Sequence, residues 1–180
     1  MHPNFATRLN NLLTSAVLQC RFSGVVLVRQ GEVDLYRRAF GMANRTWGIK
    51  NLPETRFRIA SVGKLFTAAA VMQLVEQGAI SLDTRIVEKL NLDSDYPGHT
   101  FSPEITVQHL LTMTSGIADY IDEDAENFDA LWAEFCRKNP LYLLRENRDY
   151  LPIFASLPPL QPPGETFNYC NAGFILLGLV

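Results

Sequence analysis

Phe5, Leu9, Leu12, Leu13 and Val17 recur at intervals of three and four, which predicts an amphipathic helix over residues 4–20 with its apolar side laid on a sheet. The sheet should follow at once. Gly24-Val25-Val26-Leu27-Val28 and Val33-Asp34-Leu35-Tyr36 flank the turn Gln30-Gly31-Glu32, and their β-branched, alternating character predicts an antiparallel hairpin, the only one the pattern supports. From residue 57 to 77 the period changes. Leu65, Phe66, Ala68, Ala69, Val71, Met72, Leu74 and Val75 leave little polar surface on a long helix opened at Ser61 and stopped by Gly78. A helix apolar nearly all round belongs at the centre of a domain. Lys64 would be costly there unless something pairs with it, so the pattern itself demands partners for Lys64. Beyond Gly78, helices expected over residues 83–90, 106–113, 123–137 and 149–157 are joined by polar, Pro-containing loops, with no internal repeat. Pro158-Pro159 and Pro162-Pro163-Gly164 then forbid a helix and hold the chain extended. They deliver Phe167-Asn168-Tyr169-Cys170-Asn171 as a constrained loop ahead of a last apolar helix.

Composition narrows the class. With 180 residues and 47% apolar content the chain can build one sizeable core. A net charge of −3, with 16 basic residues never clustered beyond Arg37-Arg38, offers no footprint for a phosphate backbone, so nucleic acid is not an expected partner. The longest apolar runs, near residues 65–74 and 174–180, fall short of the roughly 20 residues a membrane span needs. Residues 1–19 carry Asn4, Thr7, Asn10 and Asn11 where a secretory leader would be apolar. Cys20, Cys136 and Cys170 are odd in number and scattered, which fits reduced thiols better than a disulfide frame or a zinc site. A cytoplasmic setting is the expectation; a form that had lost a leader would instead be periplasmic or secreted. His2, His99 and His109 lack metal-ligand spacing with each other or with any acid, and no metal or cofactor is expected.

The chemistry concentrates at Ser61 and Lys64. Three residues is just under one helical turn, so the Lys64 ammonium rises on the same face as the Ser61 hydroxyl and can reach it. Taken singly, each residue also fits a plainer role: Ser61 as a helix cap, Lys64 as a snorkelling surface charge, Tyr169 as a core aromatic bonded to backbone, and Asn171 as a cap of the final helix. Thr112-Met113-Thr114-Ser115-Gly116 adds hydroxyls, but Gly116 after a short helix reads as a C-terminal stop rather than as catalytic machinery. Cys170 reads as a small packing residue.

Four segments in order carry a resemblance. The hairpin, Phe57-Arg58-Ile59-Ala60-Ser61-Val62-Gly63-Lys64, His109-Leu110-Leu111-Thr112-Met113-Thr114-Ser115-Gly116-Ile117, and Pro163-Gly164 through Tyr169-Cys170-Asn171 into Gly173 and Gly178 together resemble the serine β-lactamases and penicillin-binding proteins. The likeness is closest to the class C β-lactamase, D-alanyl carboxypeptidase and esterase branch, and it covers nearly the whole chain. It implies an α+β fold, an antiparallel sheet flanked by helices plus an all-helical subdomain. Residues 1–60 would form the opening helix and hairpin, and residues 61–180 the central helix and helical subdomain. Ser61-x-x-Lys64 matches the family's first motif, and Tyr169-x-Asn171 the class C form of its second. No Lys-Thr-Gly or related third motif follows Asn171. The expectation is therefore a partial domain whose C-terminal sheet strands are supplied by further polypeptide or by another subunit.

By the same resemblance Ser61 is the nucleophile and the product an acyl-serine on an amide, lactam or ester: a β-lactam, a D-alanyl peptide or a small ester. Lys64 would act as the base when neutral, or as a cation that lets a Tyr169 phenolate take the proton. Asn171 would hold Lys64 or bind the substrate carbonyl, and the Ser61 N–H would be one of two oxyanion donors. Without the second donor, the 180 residues alone are expected to acylate and then turn over slowly. The rival expectation is a noncatalytic binding or regulatory module that has lost the third motif. Residues 117–134 hold Asp119, Asp122, Glu123, Asp124, Glu126, Asp129 and Glu134 and no basic residue. They would border the cleft and disfavour anionic substrates, or simply form a solvated helix face.

Overall fold

The computed structural model describes residues 4–180, so His2 lies outside the described residues. Among the described residues the chain is α+β, with one helix and then the antiparallel strands in the first 50 residues and further helices after them. It divides into two compact units, Met1–Arg58 and Ile59–Val180.

In the first unit, helix α1 (Phe5–Leu18) packs against the second strand of a hairpin formed by β1 (Gly24–Gln30) and β2 (Val33–Phe40). The pairing runs from Gly24 opposite Phe40 to Gln30 opposite Val33, with a bulge between Val28 and Arg29. Gly31, at φ +57°, supplies the left-handed residue that the tight turn requires. The apolar stripe of α1 is narrower than its spacing predicts: Leu13 is buried, whereas Leu12 and Leu18 are exposed. Polar contacts complete the packing, since Asn10 Oδ1 accepts from Arg38 at 3.0 Å and from the Tyr36 hydroxyl at 3.4 Å. A second hairpin, β3 (Met42–Asn44) with β4 (Ile49–Lys50), escaped the sequence reading because its strands are too short to display alternation. Asn44 Oδ1 closes its turn by accepting from the Trp47 N–H at 2.9 Å. The buried Asn51 donates to the Phe40 carbonyl at 2.8 Å and to Ser23 Oγ at 3.0 Å, tying the two hairpins together.

The second unit opens with a 3-10 turn, Ala60–Val62, that runs into α2 (Gly63–Glu76). The helix expected from residue 57 thus starts later. Ala60 takes φ +44°, a left-handed conformation that no helix interior accepts. Short helices α3 (Ile86–Lys89), α4 (Leu92–Asp95) and α5 (Val107–Leu111) follow, then α6 (Phe128–Lys138), a 3-10 turn at Leu141–Leu143, α7 (Asn147–Phe154) and α8 (Asn171–Leu177). The helix expected from residue 123 begins five positions later, at Phe128. Asp122 Oδ1 accepts from the Asp124 N–H at 3.0 Å, a local turn that competes with the helix. Helix α5 ends at Leu111, and the residue that stops it is Met113, not Gly116. Met113 adopts φ +56°, and the Thr114 N–H returns to the His109 carbonyl at 2.8 Å, closing a Schellman-type cap.

The core gathers Ile86, Leu92, Val107, Leu110, Leu151, Phe154 and Leu176, each essentially inaccessible to solvent. Full burial of such a side chain stabilises the fold by about 1.5–3 kcal/mol. Helices α2, α5 and α7 all pack on α8. Helix α2 buries Val71 and half-buries Leu74 and Val75, while Leu65 and Phe66 stay 71% and 68% exposed. Its all-round apolar surface is therefore not matched by all-round burial, and Lys64 is half-buried rather than sunk in a core. Among the described residues no helix is long and apolar enough to cross a membrane.

Candidate active site

Ser61 sits on the exposed 3-10 turn ahead of α2, and Lys64 is the second residue of that helix. The three-residue offset brings Lys64 Nζ to 3.1 Å from Ser61 Oγ. Tyr169 and Asn171 bracket the start of α8, and both turn toward the same ammonium. Lys64 Nζ donates to the Tyr169 hydroxyl oxygen at 2.7 Å and to Asn171 Oδ1 at 2.6 Å. The Tyr169 hydroxyl donates in turn to Ser61 Oγ at 2.6 Å. An ammonium has three N–H donors, and all three directions are accounted for by Ser61, Tyr169 and Asn171. Lys64 Nζ also lies 4.7 Å from the Tyr169 ring centroid and 5.7 Å from that of Phe174, so aromatic faces cradle the charge. The four residues singled out in the sequence thus meet in one hydrogen-bonded cluster, with the alcohol facing outward.

What brings Tyr169 there is a stiff arm. The Pro-containing segment before it is bonded along its length to the residues that follow α5. Leu160 N–H donates to the Gly116 carbonyl at 2.9 Å, Gly164 N–H to Thr114 at 2.7 Å, and Asn168 N–H to Met113 at 2.8 Å. Gly116 is required at this seam. At φ +71°, a Cβ on it would lie 2.0 Å from the Gln161 carbonyl oxygen. Residues 113–116 therefore serve as the rail along which Tyr169 is aligned, a role that sequence reasoning assigned to a mere helix stop.

The start of α8 is fixed by a side chain 52 positions upstream. The Asp119 carboxylate accepts the backbone N–H groups of Asn171 and of Ala172, the latter at 3.2 Å, and that of its neighbour Tyr120 at 2.8 Å. The cap residue is Cys170, whose Sγ accepts from the Gly173 N–H at 3.3 Å, so Asn171 is the first helical residue and not the cap. Burial raises the Asp119 carboxyl above its ordinary value despite these hydrogen bonds. Burial likewise pushes the Cys170 thiol up to about 12, with Asp119 adding to the effect, which leaves it a neutral packing group. Tyr120 is raised as well, by burial first and then by the Asp119 charge.

Asn171 is held at its other end too, because its Nδ2 donates to Glu123 Oε1 at 2.7 Å. With Oδ1 on Lys64 and Nδ2 on Glu123, the amide is spoken for on both sides. Beside Tyr169 opens a cavity of about 200 Å³ whose wall includes Asp119, Asp122, Glu123, Asp124 and Asn168. The acidic stretch does line this hollow, and two of its members also touch the cluster. Sequence reasoning grouped Asp119 and Glu123 with a run of charge. Nothing in one-dimensional spacing ties either of them to Asn171. Among the described residues no group of three or more His, Cys, Asp or Glu side chains is placed to hold a metal ion.

Comparison with known proteins gives concordant relatives. The family described as Beta-lactamase matches residues 9–180. The chain is 37% identical over 180 residues to esterase EstB of Burkholderia gladioli, covering 98% of this chain and 45% of that protein. It is 27% identical over 182 residues to penicillin-binding protein 4* of Bacillus subtilis, covering 100% of this chain and 36% of that one. A solved penicillin-binding protein from Bacillus halodurans aligns with a TM-score of 0.77 and 44% identity, over 93% of this chain and 48% of its own. The chain thus spans less than half the length of these relatives.

Proposed function

This chain belongs to the β-lactamase family, and from that premise we propose that it is a serine hydrolase working through an acyl-Ser61 intermediate. The observation that carries the reading is the closed set of contacts among one alcohol, one phenol and one amine, 2.6, 2.7 and 3.1 Å apart. Ser61 Oγ attacks the substrate carbonyl and forms a C–O bond. In the reacting form Tyr169 has released its own proton to solvent, and the Ser61 proton passes to that phenolate oxygen, the nearer of its two polar neighbours, whose negative charge the adjacent Lys64 ammonium stabilises. The proton then goes to the departing alcohol or amine as the carbonyl–leaving-group bond breaks. Water, or another acceptor, reverses the sequence to release the acid. The Ser61 N–H at the mouth of α2 is one donor for the developing oxyanion, favoured by the positive end of the helix. The second donor is proposed to come from polypeptide beyond these residues, in the same chain or in a second subunit.

For the substrate, a small uncharged ester is the preferred reading within the wider class of esters, amides and lactams. Two observations support it: the acidic wall of the adjoining cavity, which repels carboxylates, and the likeness to a protein named as an esterase. A reactive phosphonate or a penicillin-type probe followed by intact-mass measurement should add one adduct, and Ser61→Ala should abolish it. An unmodified wild-type protein would instead favour a noncatalytic binding module.

A further inference from the structure

Glu123 stands on the exposed loop between α5 and α6, outside the alcohol–phenol–amine set, yet its Oε1 accepts from Asn171 Nδ2 at 2.7 Å. On the far side of the same amide, Asn171 Oδ1 accepts from Lys64 Nζ at 2.6 Å. A carboxylate offers only acceptors and an ammonium only donors. The amide between them therefore has a single satisfied orientation. Flipped, it would set its NH2 against the ammonium and its carbonyl oxygen against the carboxylate, two repulsive pairs in place of two charge-assisted bonds.

We propose that Glu123 is a positioning residue that locks the orientation of the Asn171 amide and, through it, holds Lys64 beneath Tyr169 and Ser61. The inference rests on the acyl-transfer reading given above. Asp119 fixes the main chain at Asn171 by accepting the backbone N–H groups of Asn171 and Ala172, so rotation of the side-chain amide is the motion left to restrain, and Glu123 restrains it. Released from that restraint, the amide can present its NH2 to Lys64. The ammonium then loses one of three acceptors and is free to swing away from the 2.7 Å contact with Tyr169 and the 3.1 Å contact with Ser61. The loop from Asp119 to Glu123 thus grips one residue twice, by backbone and by side chain.

Glu123 also lines the cavity beside Tyr169, so the test uses an uncharged substrate, for which loss of a surface charge has little effect on binding. Single-turnover acylation of the full chain by a neutral p-nitrophenyl ester is followed for wild type, Glu123→Ala and Glu123→Gln, with the maximal acylation rate and the half-saturating ester concentration obtained separately and thermal midpoints recorded. Glu123→Ala is expected to lower the maximal rate about tenfold, the worth of one hydrogen bond to the reacting arrangement, with half-saturation unchanged. Glu123→Gln keeps an acceptor for Asn171 while losing the charge, and should recover to within about threefold of wild type. Equal rates for Glu123→Ala and wild type would overturn the proposal. So would a Gln variant as slow as the Ala variant, which would make charge rather than amide orientation the cause, or a loss confined to half-saturation, which would make Glu123 part of the substrate wall. A rate loss that tracks a fall in thermal midpoint in both variants would also overturn it, as a stability effect. Failure of the wild-type protein to acylate at all would sink the acyl-transfer reading itself, and is seen before any variant is compared.

Discussion

Replacing Tyr169 by Phe deletes one oxygen and leaves the ring in place. That oxygen is the hub of the cluster: it accepts from Lys64 at 2.7 Å and donates to Ser61 at 2.6 Å. The aromatic face 4.7 Å from Lys64 Nζ survives the change, so the cradle for the charge is kept. What disappears is the oxygen that, in its ionised form, is the acceptor for the Ser61 proton on the proposed mechanism. A positioned general base is worth about 10²- to 10⁴-fold in rate. The group next in line, Lys64, is farther from Ser61 at 3.1 Å and is committed to Asn171 through a shorter contact. Acylation by a phosphonate or ester probe, quenched at intervals and read by intact mass, should therefore slow about 10²- to 10⁴-fold in Tyr169→Phe. Stability should change by no more than about 1 kcal/mol, the net worth of a hydrogen bond at a half-buried site, and a thermal melt checks it. If Tyr169→Phe acylates within about threefold of wild type while Lys64→Ala is inert, the proton goes to Lys64 and the hub assignment is wrong.

Four further outcomes follow from the same geometry. Burial holds the Asp119 carboxyl above its ordinary value, so the folded state binds that proton more tightly than the unfolded chain and stability falls as pH rises from the ordinary carboxylate value to the raised one; Asp119→Asn should flatten that fall in urea midpoints measured across the window, and an unchanged slope would place its origin elsewhere. Asp119→Ala, which removes the acceptors for the Asn171 and Ala172 N–H groups, should cost about 0.5–2 kcal/mol at neutral pH in the same titration. Gly116→Ala sets a Cβ 2.0 Å from the Gln161 carbonyl oxygen at φ +71°, and should lower stability by more than about 1 kcal/mol and slow acylation by shifting the arm that bears Tyr169; a melt and acylation rate equal to wild type would show that the seam yields freely. Neutralising the cavity wall in Asp122→Asn/Asp124→Asn should raise turnover of a carboxylate-bearing ester relative to its neutral analogue by about two- to fivefold at low salt, and a ratio indifferent to the change would make that charge a solvated face only.

The parts of the molecule legible in the sequence are those governed by short spacing. A Ser and a Lys three apart at a helix entrance must share a face, and a β-branched pair of runs around Gly31 must fold back on itself. Tyr169 and Asn171 were legible because the motif names them, although their meeting with Lys64 spans more than a hundred positions. Where several local signals competed, the reading slipped. Residues 57–59 look helical, but Ala60 turns left-handed and moves the helix start to Gly63. The apolar run of α2 predicts burial all round, yet Leu65 and Phe66 are exposed. The second hairpin has strands of three and two residues, below the length at which alternation can speak. Asp119 and Glu123 were hidden for a different reason. A side chain that caps or clamps a distant element leaves no period in its own neighbourhood, so only the folded chain reveals which acid in a run of acids has a task.

Ser61 and Tyr169 are separated by 108 positions, and this sets an order in time. On a ribosome adding about 5–20 residues per second, the alcohol leaves the exit tunnel several seconds before the phenol. During that interval Ser61 is an ordinary hydroxyl, with only the Lys64 donor beside it. Tyr169 reaches Ser61 only once the rail at residues 113–116 and the proline arm have docked. A nascent or half-folded chain of this kind holds its alcohol apart from its phenol, and on the proposed mechanism it cannot form the acyl-serine until the two have met.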